Sequence, residues 1–148
     1  MSLDILTDTW FDFLYLAGGD IGDGISTVIM TKKDGIKRER YPPLRRQMQS
    51  EGIVKAVSKH IGYNLVTKPL VVGTLYFFDY LLGIQENTIN SHHLYCYIFG
   101  SMKYLGFLSN IARTYGFKKT ADILGLPADI IMDTYETVES IKSSNPQN

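Results

Sequence analysis

His92, His93 and Cys96 carry the side chains best suited to binding a transition metal. They form an HHxxC cluster, with Glu86 and Asn90 nearby in the sequence. Imidazole nitrogens and thiolates are ligands of zinc and copper. Adjacent histidines point in different directions on a helix, however, and a complete ligand set at a standard spacing is missing. We therefore treat the three residues as candidate metal ligands and predict no cofactor.

Charged residues within apolar stretches form a second candidate site, the polar cluster, which consists of Asp20, Asp23, Asp79 and Lys103. At a rise of about 1.5 Å per residue, three membrane-spanning helices would place all of them near the bilayer midplane. A charge at that depth costs several kcal/mol unless it is paired or hydrated. We predict that Lys103 pairs with Asp79 and with one aspartate of the first helix, which would fix the packing of three helices.

The same polar cluster is compatible with three further roles. It could be a proton or ion pathway, a polar surface that docks a partner helix, or an ordinary ion pair of a soluble fold. We favour the structural ion pair within the membrane, because a single relay has no visible route on either side of it.

Motifs of common catalytic sites are missing from the sequence. There is no G-x-S-x-G, no Walker loop, no H-E-x-x-H and no CxxC pair. We therefore predict a non-catalytic protein. The composition, with 45% hydrophobic and 20% charged residues, is also found in soluble globular proteins, so a membrane protein with these values must keep a large part outside the bilayer.

The elements that would position these residues are indicated by where lysine and arginine occur. Both are absent from 1–31 and from 69–102, and each of these stretches contains an apolar run close to the roughly 17–25 residues that a spanning helix needs. Between them lies a basic loop with Lys32, Lys33, Lys37, Arg38, Arg40, Arg45 and Arg46. Cytoplasmic loops retain basic residues and exported loops lack them. This pattern predicts a small polytopic membrane protein.

We predict three spans, at about 10–31, 69–84 and 94–112. In the first, Gly18 and Gly22 form a small-xxx-small pair that lets another helix approach closely, although the same stretch could form a strand–turn–strand. Residues 47–68 have the apolar periodicity of an amphipathic helix. The basic loop would attract anionic lipid headgroups, at about 1 kcal/mol per basic residue, or serve only to set the topology, which we favour.

Two short patterns resemble an uncharacterised family of small archaeal and bacterial polytopic membrane proteins. Asp23-Gly24-Ile25-Ser26-Thr27 resembles its D-x-x-[ST] signature, and Glu39-Arg40-Tyr41-Pro42 resembles its E-x-N-P signature, with Tyr41 in place of the asparagine. Arg45 and Lys68-Pro69 match a later basic residue and a Lys-led apolar helix. The resemblance covers about residues 10–85 and implies a fold, not an activity.

Residues 119–127 also resemble a helix-turn-helix, in which Ala121, Gly125 and Ile131 have the expected spacing. The second helix would carry Asp129, Asp133, Glu136 and Glu139, with no basic residue before Lys142. Phosphates repel such a face, so we predict no nucleic-acid partner. We expect instead a helix, a turn and an amphipathic helix that packs against the bundle or a partner through Ile130, Ile131, Tyr135, Val138 and Ile141.

Together these features predict an all-α fold: a three-span transmembrane bundle over 1–112, with basic loop 32–51, and a helical cytoplasmic tail over 113–148. The N-terminus would lie outside, the hairpin 85–93 outside and the C-terminus in the cytoplasm. The predicted function is an accessory or structural subunit of a larger membrane complex, with other membrane subunits and anionic headgroups as partners. The alternatives are a soluble helix-turn-helix DNA-binding protein and a component of ion or proton transport.

Overall fold

The protein is built from helices. The computed structural model describes residues 3–84 and 90–144, and this part of the chain contains no strand. The predicted all-α class is confirmed. The elements in order are α1 (Leu3–Asp34), a short 3-10 helix (Ile36–Arg38), α2 (Pro42–Glu51), α3 (Ile53–Leu81), α4 (Ser91–Thr114) and α5 (Lys118–Ser144).

Helix α1 lies at the centre of the bundle. Its most extensive contact is with α4, and it also packs on α3, while α5 packs on α4 and α2 on α3. Small residues allow the close approach of α1 and α4. A Cβ added to Gly19 would lie 3.0 Å from the Cβ of Lys103, and one added to Gly100 would lie 2.5 Å from the ring of Tyr15. Gly18 and Gly22 face α4 in the same way.

The predicted basic loop is largely helical. Lys32 and Lys33 lie in the last turn of α1, and Pro42 and Pro43 begin α2. Proline suits the first turn of a helix, because the amide hydrogen that it lacks would have no partner there. Gly52, with a φ of 89°, separates α2 from α3. The predicted amphipathic helix 47–68 is therefore divided between α2 and α3.

Helix α3 is longer than the sequence suggests. It runs from Ile53 to Leu81 through Pro69, the residue at which a new span is predicted to begin. Proline removes one helical hydrogen bond, but here its neighbours on both sides stay helical. The amphipathic segment and the second predicted span thus belong to one helix.

The predicted turn near Gly125 is wrong. Helix α5 is continuous from Lys118 to Ser144 and includes both Gly125 and Pro127. Ala121 is fully buried, and its carbonyl accepts a hydrogen bond of 2.7 Å from Ser109 Oγ of α4. The small side chains therefore allow α5 to pack closely against α4, and they do not form a turn. Of the residues expected to pack, Ile130, Ile131 and Val138 are exposed. The side chains of Tyr135 and Ile141 lie outside the described part of the chain.

The buried apolar core is small and divided in two. Leu44, Met48, Ala56 and Val57 form one cluster between α2 and α3. Leu16, Val72 and Cys96 form the other, where α1, α3 and α4 meet. Apart from Met30 and Ala121, the other buried side chains are polar or charged: Asp12, Asp20, Ser26, Thr27, Thr31, Glu39, Asp79, Asn90, His92 and Ser109.

The outer faces of the helices are apolar. On α1 the exposed residues recur at helical spacing: Trp10, Leu14, Ile21, Ile25 and Ile29. On α3 the exposed set includes Tyr63, Val66, Leu70, Phe77, Phe78 and Leu81, and on α4 it includes Leu94, Tyr97, Ile98 and Leu108. Among these residues the usual arrangement of a globular protein, with apolar side chains inside, is largely reversed.

Within 3–84 and 90–144, none of the helices combines the length and the apolar character that crossing a membrane requires. The predicted spans 10–31, 69–84 and 94–112 are therefore not supported, because charged residues interrupt each of the corresponding helices. The predicted hairpin 85–93 falls partly on 85–89, which lie outside the described residues and include Glu86.

Candidate functional site in the polar interior

A cavity of about 350 Å³ lies between α1, α3, α4 and α5, and the segment after the 3-10 helix closes one side of it. Its lining combines acids, bases and amides, among them Asp20, Asp23, Glu39, Arg40, His60, Asn64, Lys68, Lys103, Asn110 and Arg113. We call this space the polar cavity. Since charges of both signs line it, the arrangement of their pairs decides what the cavity can do.

Asp20 and Lys68 form the most buried lysine–carboxylate pair of the described residues. Lys68 Nζ lies 2.7 Å from Oδ1 and 2.6 Å from Oδ2 of Asp20. Asn64 Nδ2, one turn earlier on α3, donates to Asp20 Oδ1 at 3.1 Å. The lysine side chain is 12% exposed and the aspartate 1%. Lys68 is not among the predicted site residues, because the sequence places it at the end of an amphipathic helix.

Asp23 and Lys103 form a second pair in the polar cavity, with 2.8 Å between Asp23 Oδ2 and Lys103 Nζ. Gly106 makes room for this pair, since a Cβ at that position would lie 2.8 Å from Asp23 Oδ1. The structure thus places Lys103 beside one aspartate of the first helix and not beside Asp79. Lys103 lies near the middle of α4, whereas Asp79 lies near the end of α3.

Glu39 lies buried where the segment after the 3-10 helix borders the polar cavity. Burial raises the pKa of the Glu39 carboxyl, and the nearby Asp23 raises it further. The backbone N–H of Tyr41 donates to Glu39 Oε1 at 2.8 Å and lowers the pKa in part. The net effect is a pKa above the ordinary value of a glutamate carboxyl.

Hydrogen-bonded side chains also join the helices near the cavity. Asn110 Nδ2 of α4 donates to Ser26 Oγ and to Thr27 Oγ1 of α1, both at 3.2 Å. Arg113 Nη2 donates to Asp122 Oδ1 of α5 at 2.7 Å, and Arg40 forms an ion pair with Asp129 of the same helix. These contacts fasten α4 to α1, and α5 to α4 and to the segment before α2.

The basic residues of the predicted loop lie together at one end of the bundle. Lys33 donates to the Thr114 carbonyl, and Arg45 Nη1 donates to the Glu39 carbonyl at 3.5 Å. Arg40 is exposed although it pairs with Asp129, and the side chains at the remaining positions are exposed too: Lys32, Lys37, Arg38 and Arg46. This basic end lies at the C-terminus of α1 and the N-terminus of α3.

The candidate metal ligands lie at the opposite end of α1. His92 and His93 begin α4 and lie beside Asp79 of α3 and Asp12 of α1. Cys96 is separate from them, buried in the apolar cluster with Leu16 and Val72. The sequence does not predict Asp12 as a member of this site, because nothing in it links Asp12 to histidines about eighty positions away.

The chain matches no protein-family model, no curated protein and no solved structure. The resemblance of 23–27 and 39–42 to a family of small membrane proteins therefore stays a prediction. Function has to be inferred from the arrangement of the side chains.

Proposed function

We propose that this protein is a non-catalytic accessory subunit of a membrane complex, embedded so that lipid and helices of other subunits cover its apolar outer faces. The observation that carries the proposal is the reversed polarity of the bundle, with charged groups inside and large apolar side chains outside. Extended exposed apolar surfaces mark sites of contact with membranes or other proteins.

The exposed side chains support this proposal through their arrangement along the helices. Trp10, Leu14, Ile21 and Ile25 recur on one face of α1, and their exposed fractions lie between 41% and 60%. In water, each Å² of apolar surface left uncovered on such a face carries a free-energy cost of about 25 cal/mol. Contact with acyl chains or apolar helices avoids that cost.

The interior gives a second line of support. Ionisable residues within a membrane face the inside of the bundle and pair with one another. Asp20 with Lys68, and Asp23 with Lys103, satisfy this condition. The charges of these two pairs are thus turned away from the outer faces, whereas Lys55 and Lys59 near the start of α3 are exposed. Small residues between α1 and α4 also suit helix packing in lipid.

The basic end defines an orientation for the proposal. Lys32, Lys37, Arg38 and Arg46 would lie at the cytoplasmic surface, close to anionic headgroups. The N-terminal end of α1, with the residues around Asp12, would then lie towards the outside. Transport is the less favoured function, because the charged residues of the predicted polar cluster are engaged in pairs. The DNA-binding alternative requires a turn near Gly125, where α5 is a continuous helix.

The first test is a carbonate wash of membranes from cells that express the full chain. We expect the protein to stay in the pellet. The single tryptophan provides a second readout, since Trp10 is 60% exposed on the apolar face of α1. In vesicles, brominated acyl chains should quench its fluorescence more strongly than acrylamide does. Release by carbonate, together with quenching by acrylamide alone, would overturn the proposal.

A tryptophan moved along the same face measures depth in the bilayer. The double variant Trp10→Phe, Ile25→Trp places the only tryptophan further along α1 on the same exposed face. We expect stronger quenching by lipids brominated deep in the acyl chain than by lipids brominated near the headgroup. The reverse order would show that this face does not enter the hydrocarbon region.

A further inference from the structure

The end of the bundle away from the basic residues holds a compact set of metal-binding side chains. Asp12 of α1 and His92 and His93 of α4 each offer a ligand atom, and these atoms lie within 4.8 Å of one another. Asp12 and His92 are buried, while the His93 side chain is 30% exposed. Two imidazoles and a carboxylate therefore lie close together, with His93 as the partly exposed member of the set.

A second carboxylate orients this set. His92 Nδ1 donates to Asp79 Oδ2 at 2.8 Å, and the His92 backbone N–H donates to the same oxygen at 3.3 Å. Ser91 Oγ donates to Asp79 Oδ1 at 2.8 Å. Asp79 thus fixes the His92 ring and its tautomer, and leaves Nε2 for a ligand. A metal-binding histidine commonly has such a carboxylate on its other nitrogen.

We propose that Asp12, His92 and His93 bind one divalent transition metal ion, with Asp79 as the residue that positions His92. Imidazole and carboxylate ligands suit zinc and its first-row neighbours. Three protein ligands leave a coordination position for water or for a group from a partner. The ion would replace the direct contact between His93 and Asp12, and it would join α1, α4 and, through Asp79, α3.

This site is independent of the proposed membrane association. It uses residues from the inner faces of the helices, and it does not involve the exposed apolar side chains. Cys96 is not a ligand in this arrangement, because it lies in the apolar cluster with Leu16 and Val72. Loss of metal binding and loss of membrane retention can therefore be measured separately.

The test is titration of the purified, chelator-treated full chain with Co²⁺, followed by displacement with Zn²⁺. We expect one equivalent of Co²⁺ per chain, with the visible absorption of a cobalt site. His93→Gln and Asp12→Asn should weaken binding at least tenfold. Asp79→Asn should weaken it by about 10- to 100-fold, as for other residues that orient a ligand. His60→Gln, which changes the one histidine outside the site, should bind as the native chain does.

Circular dichroism of each variant shows whether it still folds. Should His93→Gln unfold, His93→Cys provides the same test, because a thiolate ligand adds a charge-transfer band to the cobalt spectrum. Binding well below one equivalent by the native chain would overturn the proposal. So would equal affinity of the native chain and a folded His93→Gln, or a folded His93→Cys without the thiolate band.

Discussion

The two faces of α1 differ more than any other pair of surfaces described above. The inner face carries Asp12, Asp20 and Asp23 among glycines, and each aspartate meets a basic or imidazole side chain from another helix. The outer face carries large apolar residues such as Leu14 and Ile25. Ion pairs, more than buried apolar contacts, therefore determine which helices pack against α1.

Breaking a pair on the inner face should have the largest effect. Lys68→Ala leaves the Asp20 carboxylate buried without its cation. Loss of one partner from a buried pair costs about 3–5 kcal/mol. We expect the free energy of unfolding, measured with denaturant in detergent, to fall by that amount. Lys59→Ala, on the same helix but in an exposed pair with Glu51, is the matched control and should change little.

A charge introduced on the outer face of α1 probes what covers that face. Ile25 is 53% exposed, and a lysine there would be tolerated within about 0.5 kcal/mol on a surface in water. In the hydrocarbon region it would cost about 2.5–3.5 kcal/mol. We expect Ile25→Lys to reduce the carbonate-resistant fraction strongly. Gln49→Lys, at an exposed position of α2, should leave it unchanged.

The close approach between α1 and α4 should be sensitive to one added methyl group. In Gly100→Ala the new Cβ would meet the ring of Tyr15 at 2.5 Å, so the ring has to move. We expect a loss of about 1–3 kcal/mol in unfolding free energy. Gly62→Ala is the control, because no atom lies within 4 Å of its added Cβ. That variant should gain about 0.5–1 kcal/mol from helix propensity. A similar change in both variants would contradict the packing described for Gly100.

Glu39 gives the smallest expected effect, and one that depends on pH. Because its pKa is raised in the folded chain, its stabilising contribution is complete below its ordinary value of 4.5 and is lost as the pH rises through the folded value. Glu39→Gln can still accept the hydrogen bond from Tyr41 but carries no charge. We therefore expect the variant to unfold at a higher temperature than the native chain at neutral pH. The difference should disappear below pH 4.5, and a constant difference at all pH values would contradict the assignment.

The sequence is informative where a property belongs to a single helix. Helical periodicity is enough for the all-α class, and the charges in apolar stretches stand out as unusual. Contacts between helices are harder to predict, because the register of one helix against another depends on the whole interface. The sequence predicts Lys103 beside Asp79 and beside one aspartate of the first helix. The position of α4 places it beside Asp23 of that helix but not beside Asp79.

Two errors in element bounds have local causes. The second span is predicted to begin at Pro69 and a turn is predicted at Gly125, close to Pro127, yet these residues lie inside continuous helices. Proline removes one hydrogen bond and strains the preceding turn, but packing on both sides can maintain the helix. The place of Asp12 in the site cannot be found in the sequence, since it depends on histidines brought to it by the fold.

The ion pairs of α1 join residues that are synthesised at widely separated times. Lys68 is made 48 residues after Asp20, and Lys103 is made 80 residues after Asp23. At about 5–20 residues per second, the second interval lasts roughly 4–16 s. During that time the emerging first helix carries carboxylates whose partners do not yet exist. The ion pair between Asp23 and Lys103 therefore forms only after most of the chain has been synthesised.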